Sequence, residues 1–179
     1  MTGPDPWAHL RDTPRPRDME EFVIFQSADY RPSNHPLYAH EWPDLLAQAK
    51  ASLASRQQAY PDWVKRNRLS QEDADRDIRA WELIVAEWQW IITSQGEAPG
   101  RETHPDRCAA VDLSLKRIDA ELRRGNRSHD IYRQCHLALA LRWHLSRHLY
   151  GEPAIHRIAR FNHDLRRERE AATRKEKAA

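Results

Sequence analysis

The sequence predicts an all-α fold: a long antiparallel helical hairpin plus three further helices in a bundle, with a disordered proline-rich N-terminal arm and a short extended segment. Three observations carry this reading. Ala74, Ile78, Trp81, Val85, Trp88 and Ile92 recur at alternating spacings of four and three, the seam of a helix that packs along another helix. A length of 179 residues, 40% hydrophobic and 31% charged, suits one helix-rich domain with a real core, with or without an appended arm, rather than two compact domains. The five glycines, Gly3, Gly96, Gly100, Gly125 and Gly151, are spaced so that neither a G-x-G-x-x-G turn nor a P-loop exists, which disfavours most nucleotide enzymes.

Residues 1–36 form the arm. Pro4, Pro6, Pro14 and Pro16 lock φ and remove amide donors, so neither helix nor strand propagates there. Phe22-Val23-Ile24-Phe25 is too short for a helix and rich in β-formers, an extended segment expected to dock on the helices. Ser27 to Pro36 is a loop. The first helix begins near Trp42, with Pro43 and Asp44 suited to a first turn, and its apolar positions are Leu46, Ala49, Leu53, Tyr60 and Val64, interrupted at Gln57. Pro61 predicts a kink, or a break into a short piece 61–67.

Ser70 with Asp73 resembles a capping box and opens the seam helix, for which Gly96 is the expected left-handed stop. The short gap between Asn67 and Ser70 folds this helix back on the first, giving a hairpin over 42–95. A third helix, 104–124, starts after Pro99-Gly100 with Thr103 as cap, carries Cys108, Val111, Leu115, Ile118 and Leu122, and ends at Gly125. The fourth, 128–150, is apolar around much of its circumference and so belongs at the centre. The fifth, 153–165, has the stripe Ala154, Ile158, Phe161 and Leu165, followed by a charged helical tail at 166–179 that can bury nothing.

No apolar run approaches the roughly 20 residues a membrane span needs, and Met1 to Leu10 lacks a signal peptide's apolar stretch, so no membrane partner and a cytoplasmic location are expected. Cys108 and Cys135 are too few for a disulfide scaffold and read as buried thiols. The formal charge of +2 hides an asymmetry: residues 1–100 carry a net −5 and residues 101–179 a net +7. Such a split means a basic half that meets phosphate or an acidic partner, or two halves that attract each other across one core.

His144 and His148, four apart on the expected helix, form the one pair with metal-chelating spacing, and a third ligand would have to be His136, His156 or His163. Leu145 stands where H-E-x-x-H needs its glutamate, and no Glu has a His three positions later, so neither helical metalloenzyme pattern is present. Glu82 and Glu87 can serve as acid and base only if buried, and exposure is the expectation for both. Cys135 and His136 diverge as helix neighbours. No catalytic residue and no cofactor is therefore assigned.

The most basic surface lies at the end of the chain, where Arg157, Arg160, Arg166 and Arg167 are the candidate contacts for nucleic acid or an acidic protein surface. Glu168, Glu170 and Glu176 lie among them, so a self-paired solvated helix is the competing reading. Of seven tryptophans, Trp81 and Trp88 belong to the seam, while Trp7, Trp42, Trp63, Trp90 and Trp143 either form an exposed aromatic patch or are covered by other elements.

The stretch Arg56-x-x-x-Tyr60-Pro61-x-x-Val64, then Leu69-Ser70-x-x-x-Ala74-x-x-x-Ile78-x-x-Trp81-x-x-Ile84-Val85, resembles a helical hairpin of small uncharacterised bacteriophage and prophage proteins, over about 30 of 179 residues. The resemblance implies an accessory protein of a phage or mobile element and brings no catalytic residues. The sequence thus favours a non-enzymatic binding protein whose basic C-terminal helices contact nucleic acid. The alternatives are a protein–protein module, a homo-oligomer or an inhibitor of a host or phage machine among them, and thirdly a metal-dependent enzyme using His144 and His148.

Overall fold

Residues 36–149 and 152–178 are described by the computed structural model, and five α-helices make up most of these described residues. The proline-rich arm, the segment Phe22–Phe25 and Trp7 lie outside the described residues. Helix α1 spans Trp42–Lys65 and α2 spans Gln71–Thr93. They form the hairpin and share the most extensive helix–helix contact in the molecule. The turn is closed by Asn67 at φ 54°, a left-handed position that asparagine tolerates, with the Arg68 amide bonded back to the Trp63 carbonyl at 2.8 Å. Ser70 accepts from the Asp73 amide at 3.0 Å and caps α2.

Pro61 neither breaks α1 nor splits off a second piece; the helix runs on to Lys65. Pro61 and Gln57, whose carbonyl loses its donor, both lie on the exposed face, where that carbonyl is open to solvent. Nor does α2 wait for Gly96: it ends at Thr93, and Ser94 takes the left-handed conformation at φ 64°.

A 3-10 turn at Arg101–Thr103 leads into α3, His104–Arg123. Thr103 does not cap α3 with its hydroxyl, which donates to the Gly100 carbonyl instead. Gly125 at φ 92° stops α3, with the Asn126 amide reaching the Glu121 carbonyl at 3.0 Å. Helix α4, His129–Ser146, is capped by Ser128 and pairs with α3 in a second hairpin. Contacts of α2 with α3 and of α1 with α4 close the four helices around one core. Helix α4 supplies the unbroken buried run Cys135 to Leu141, which makes it the centre of that core. Trp81 and Trp88 of α2 are sealed against it, each worth roughly 3 kcal/mol of apolar burial.

Helix α4 ends four residues earlier than its apolar content suggests. After Ser146 the chain forms a two-residue strand, β1 at His148–Leu149, paired antiparallel with β2 at Glu152–Pro153. This corner swings the chain into α5, Ala154–Ala178, which lies along α2. The face that α5 buries is Ile155, His156, Ala159 and His163. The stripe expected from sequence is rotated away from the core: Ile158 is 48% and Phe161 63% exposed. From Arg166 to Lys177 every residue is exposed. No described helix is long and apolar enough to cross a membrane.

Candidate functional site

Polar residues organise the interior in two places. The first lies in the hairpin motif itself. Arg56, on the side of α1 that would otherwise carry an apolar residue, sends Nε to Asp77 of α2 at 2.8 Å, Nη1 to the Ser52 carbonyl at 2.9 Å and Nη2 to the Ser114 hydroxyl of α3 at 2.6 Å. Tyr60 donates its hydroxyl to the same Asp77 oxygen, and Arg117 donates to the Tyr60 oxygen at 3.0 Å. The Arg56 guanidinium lies 4.6 Å from the Trp81 ring centre. Arginine and tyrosine four residues apart on α1 therefore clasp the carboxylate of the opposite arm, and α3 is tied to the same knot. The clasp ties the two arms of the hairpin together through one oxygen of Asp77, and its other oxygen, Oδ1, is buried without a partner among the described residues.

The second place is built around Glu87, which is 2% exposed against the expectation that it faces solvent. Its Oε1 accepts from His156 Nε2 of α5 at 2.5 Å and lies 2.5 Å from Nη1 of Arg107 on α3. Burial pushes the Glu87 carboxyl up, but the His156 hydrogen bond and the Arg107 guanidinium outweigh it, and the net shift is downward. Above this knot opens a cleft of about 300 Å³ bounded by Pro99 and Gly100, His104 and Arg107 of α3, His148 of β1, Glu152 of β2, and His156 and Arg160 of α5. His104 and His148 meet edge to face with ring centres 4.6 Å apart. His104 Nε2 contacts Cys108 Sγ at 3.3 Å. Burial, the neighbouring His148 and Arg107 push the His104 pKa down to about 4, and burial raises that of the Cys108 thiol. The pair is neutral at both ends and lacks the thiolate that a cysteine nucleophile requires.

His144 and His148 do not share a helix face, because α4 ends between them. His144 is buried, hydrogen-bonded through Nε2 to the Ala39 carbonyl at 2.7 Å, and packed against Trp88 and Trp143. Burial pushes its pKa down to about 4. The proposed third ligands have other tasks: His163 bonds the Ile91 carbonyl at 3.1 Å, His156 holds Glu87, and His136 faces Tyr38. Among the described residues no three of His, Cys, Asp and Glu are gathered as a metal site would need. Cys135 is buried, its pKa pushed up to about 12, while Cys108 is only half-buried.

The four candidate arginines are spread along α5. Arg160 lines the cleft and pairs with Glu152, Arg167 pairs with Asp164 one turn back, and Arg166 reaches the Ile92 carbonyl at 3.2 Å; Arg157 is exposed. Beyond them Arg169, Arg174, Lys175 and Lys177 are exposed, with no side-chain bond or ion pair among the described residues. Trp90 and Trp143 are buried, and Trp42 and Trp63 are half-buried, so these four do not make an exposed aromatic patch. Basic and acidic halves do meet, in the interior at Glu87 and Arg107 and at the surface where Arg133 reaches Asp44 at 2.8 Å. Comparison with protein-family models, with curated proteins and with solved structures gives no match.

Proposed function

We propose that this is a non-enzymatic binding protein of a phage or mobile element, and that the outer half of α5 docks on nucleic acid. One observation carries the reading: twelve consecutive exposed residues, Arg166 to Lys177, extend α5 beyond its last buried residue with six basic and three acidic side chains. A helix segment that buries nothing gains no stability from the bundle, and its surplus positive charge suits a polyanion. At about 100° per residue, Arg166, Arg167, Arg169, Arg174 and Lys177 fall on one side of the helix, with Glu170 among them. The internal bonds of Arg160, Arg166 and Arg167 move the expected contacts outward, to Arg169, Arg174 and Lys177.

Binding to a duplex of generic sequence should weaken steeply with added salt, and replacing Arg169, Arg174 and Lys177 by glutamine should lower the slope of log affinity against log salt by about three. Affinity that persists in about 0.5 M salt, or that ignores the triple variant, would refute the reading. A protein partner is the second reading, favoured by the exposed apolar pair Ile158 and Phe161 on the same helix. Phe161→Ser separates the two: it should leave nucleic-acid affinity within about twofold and abolish a protein complex seated on that stripe.

A further inference from the structure

The cleft beside Glu87 is not used by the outer half of α5, yet it concentrates chemistry of one kind. Its walls come from the first turns of two long helices, α3 at His104 and Arg107 and α5 at His156, with Pro153 of β2 between them. Helix N-termini carry partial positive charge and favour anions. Three arginines, Arg101, Arg107 and Arg160, line it against a single lining carboxylate, Glu152, and the Glu87 charge underneath is already held by Arg107 and His156. Arg107 is 1% exposed, and its Nε has no hydrogen-bond partner among the described residues. A buried guanidinium donor without an acceptor costs on the order of 1–3 kcal/mol, so Arg107 is poised for a group that the protein itself does not supply.

His104 points the same way. Its Nδ1 is buried and without a partner among the described residues, and in the tautomer where Nε2 accepts from the Cys108 S–H, Nδ1 carries the ring proton. Arg160 uses Nη2 on Glu152, which leaves its other N–H groups for a second acceptor. We propose that this cleft binds the phosphate group of a small molecule, with Arg107 and Arg160 as the two guanidinium anchors and His104 as a third donor. A phosphate presents several acceptor oxygens to donors arriving from both helices, and about 300 Å³ is at the small end of ligand pockets, room for a phosphate with a modest substituent.

The test titrates the full chain with inorganic phosphate by calorimetry and by NMR of the histidine rings, with sodium chloride at matched ionic strength as the control. The expected result is saturable phosphate binding with shifts at His104 and His148, weakened about tenfold or more by Arg160→Gln and by His104→Gln. Lys175→Gln with Lys177→Gln should leave it unchanged, which keeps the outcome separate from the nucleic-acid reading. Because Arg107→Gln strands the Glu87 charge, Arg107 is tested as the pair Glu87→Gln with Arg107→Gln, which should fold and lose phosphate binding. Adenosine 5′-monophosphate distinguishes the source: tighter binding than phosphate means an esterified ligand, equal binding a free ion, and both uphold the site. A response matched by chloride, or one lost in the lysine variant and kept in Arg160→Gln, overturns the proposal.

Discussion

At the scale of single residues, the two charges most thoroughly removed from water are Glu87 and Arg107, each at most 2% exposed. Neither is tolerable alone. Glu87→Gln keeps the size of the side chain and an acceptor for His156, but leaves the Arg107 charge without its counterion, so it should destabilise the protein by about 3 kcal/mol or more in urea unfolding. The same change combined with Arg107→Met should recover most of that loss; equal destabilisation in single and double variants would show that the ion pair is not what matters. The position of Glu87 was legible in principle. One line of buried residues on α2 runs Asp77, Ala80, Ile84, Glu87 and Ile91, as regular in spacing as the apolar seam, but two of its members are acidic and hydrophobicity passes over them. Arg56 opens the hairpin motif, but its burial is missed for the same reason: a reading that scores only apolar residues finds a gap at Gln57, whereas the position facing the core is one residue earlier and holds a guanidinium with all three of its nitrogens bonded.

Among the elements, α2 was the most legible and α5 the least. The seam of α2 lies about half a residue off the buried axis: Trp81 and Trp88 are sealed, while Ile78, Val85 and Ile92 sit half-buried at the edge. On α5 the displacement is a full residue step, because the buried face is made of two histidines, an isoleucine and an alanine, and the larger apolar residues are left outside. Histidine pairing favours that face: His156 bonds Glu87 Oε1 beside Arg107, and His163 bonds the Ile91 carbonyl, a buried acceptor near the end of α2. The order of mutational costs follows. Phe161→Ser should shift stability by less than about 0.5 kcal/mol, whereas Ile155→Ala should cost about 2 kcal/mol or more. Thermal melts of the two variants check this, and the reverse order would mean that α5 packs through the stripe read from sequence. The early end of α4 had no apolar signal at all, since Leu145 and Leu149 continue its pattern beyond the point where the chain turns into β1.

For the molecule as a whole, the all-α bundle was legible because it depends on the period of apolar residues, while its response to acid depends on histidines whose surroundings only the fold defines. His144 has an ordinary value of 6.5 when unfolded and is pushed down to about 4 by burial in the core. Between these values the unfolded chain takes up a proton that the folded chain refuses, so stability is full above about pH 6.5 and falls as pH drops toward 4. For a side chain only 7% exposed the whole shift corresponds to about 3 kcal/mol, a sizeable part of the stability of a small domain. His104, pushed down to about 4 as well, acts in the same window and the same direction. The lowered Glu87 pKa contributes stability that is present above the ordinary carboxylate value of 4.5 and is lost as pH falls below it, so the acid limb steepens where the histidine limb ends. The urea midpoint should therefore decline from about pH 6.5 downward, and His144→Gln, which has no proton to gain, should flatten that decline while lowering the midpoint at neutral pH. A midpoint constant between about pH 7 and 5 in the parent protein would mean that His144 is not the neutral donor to the Ala39 carbonyl on which the joint between the start of the bundle and α4 rests.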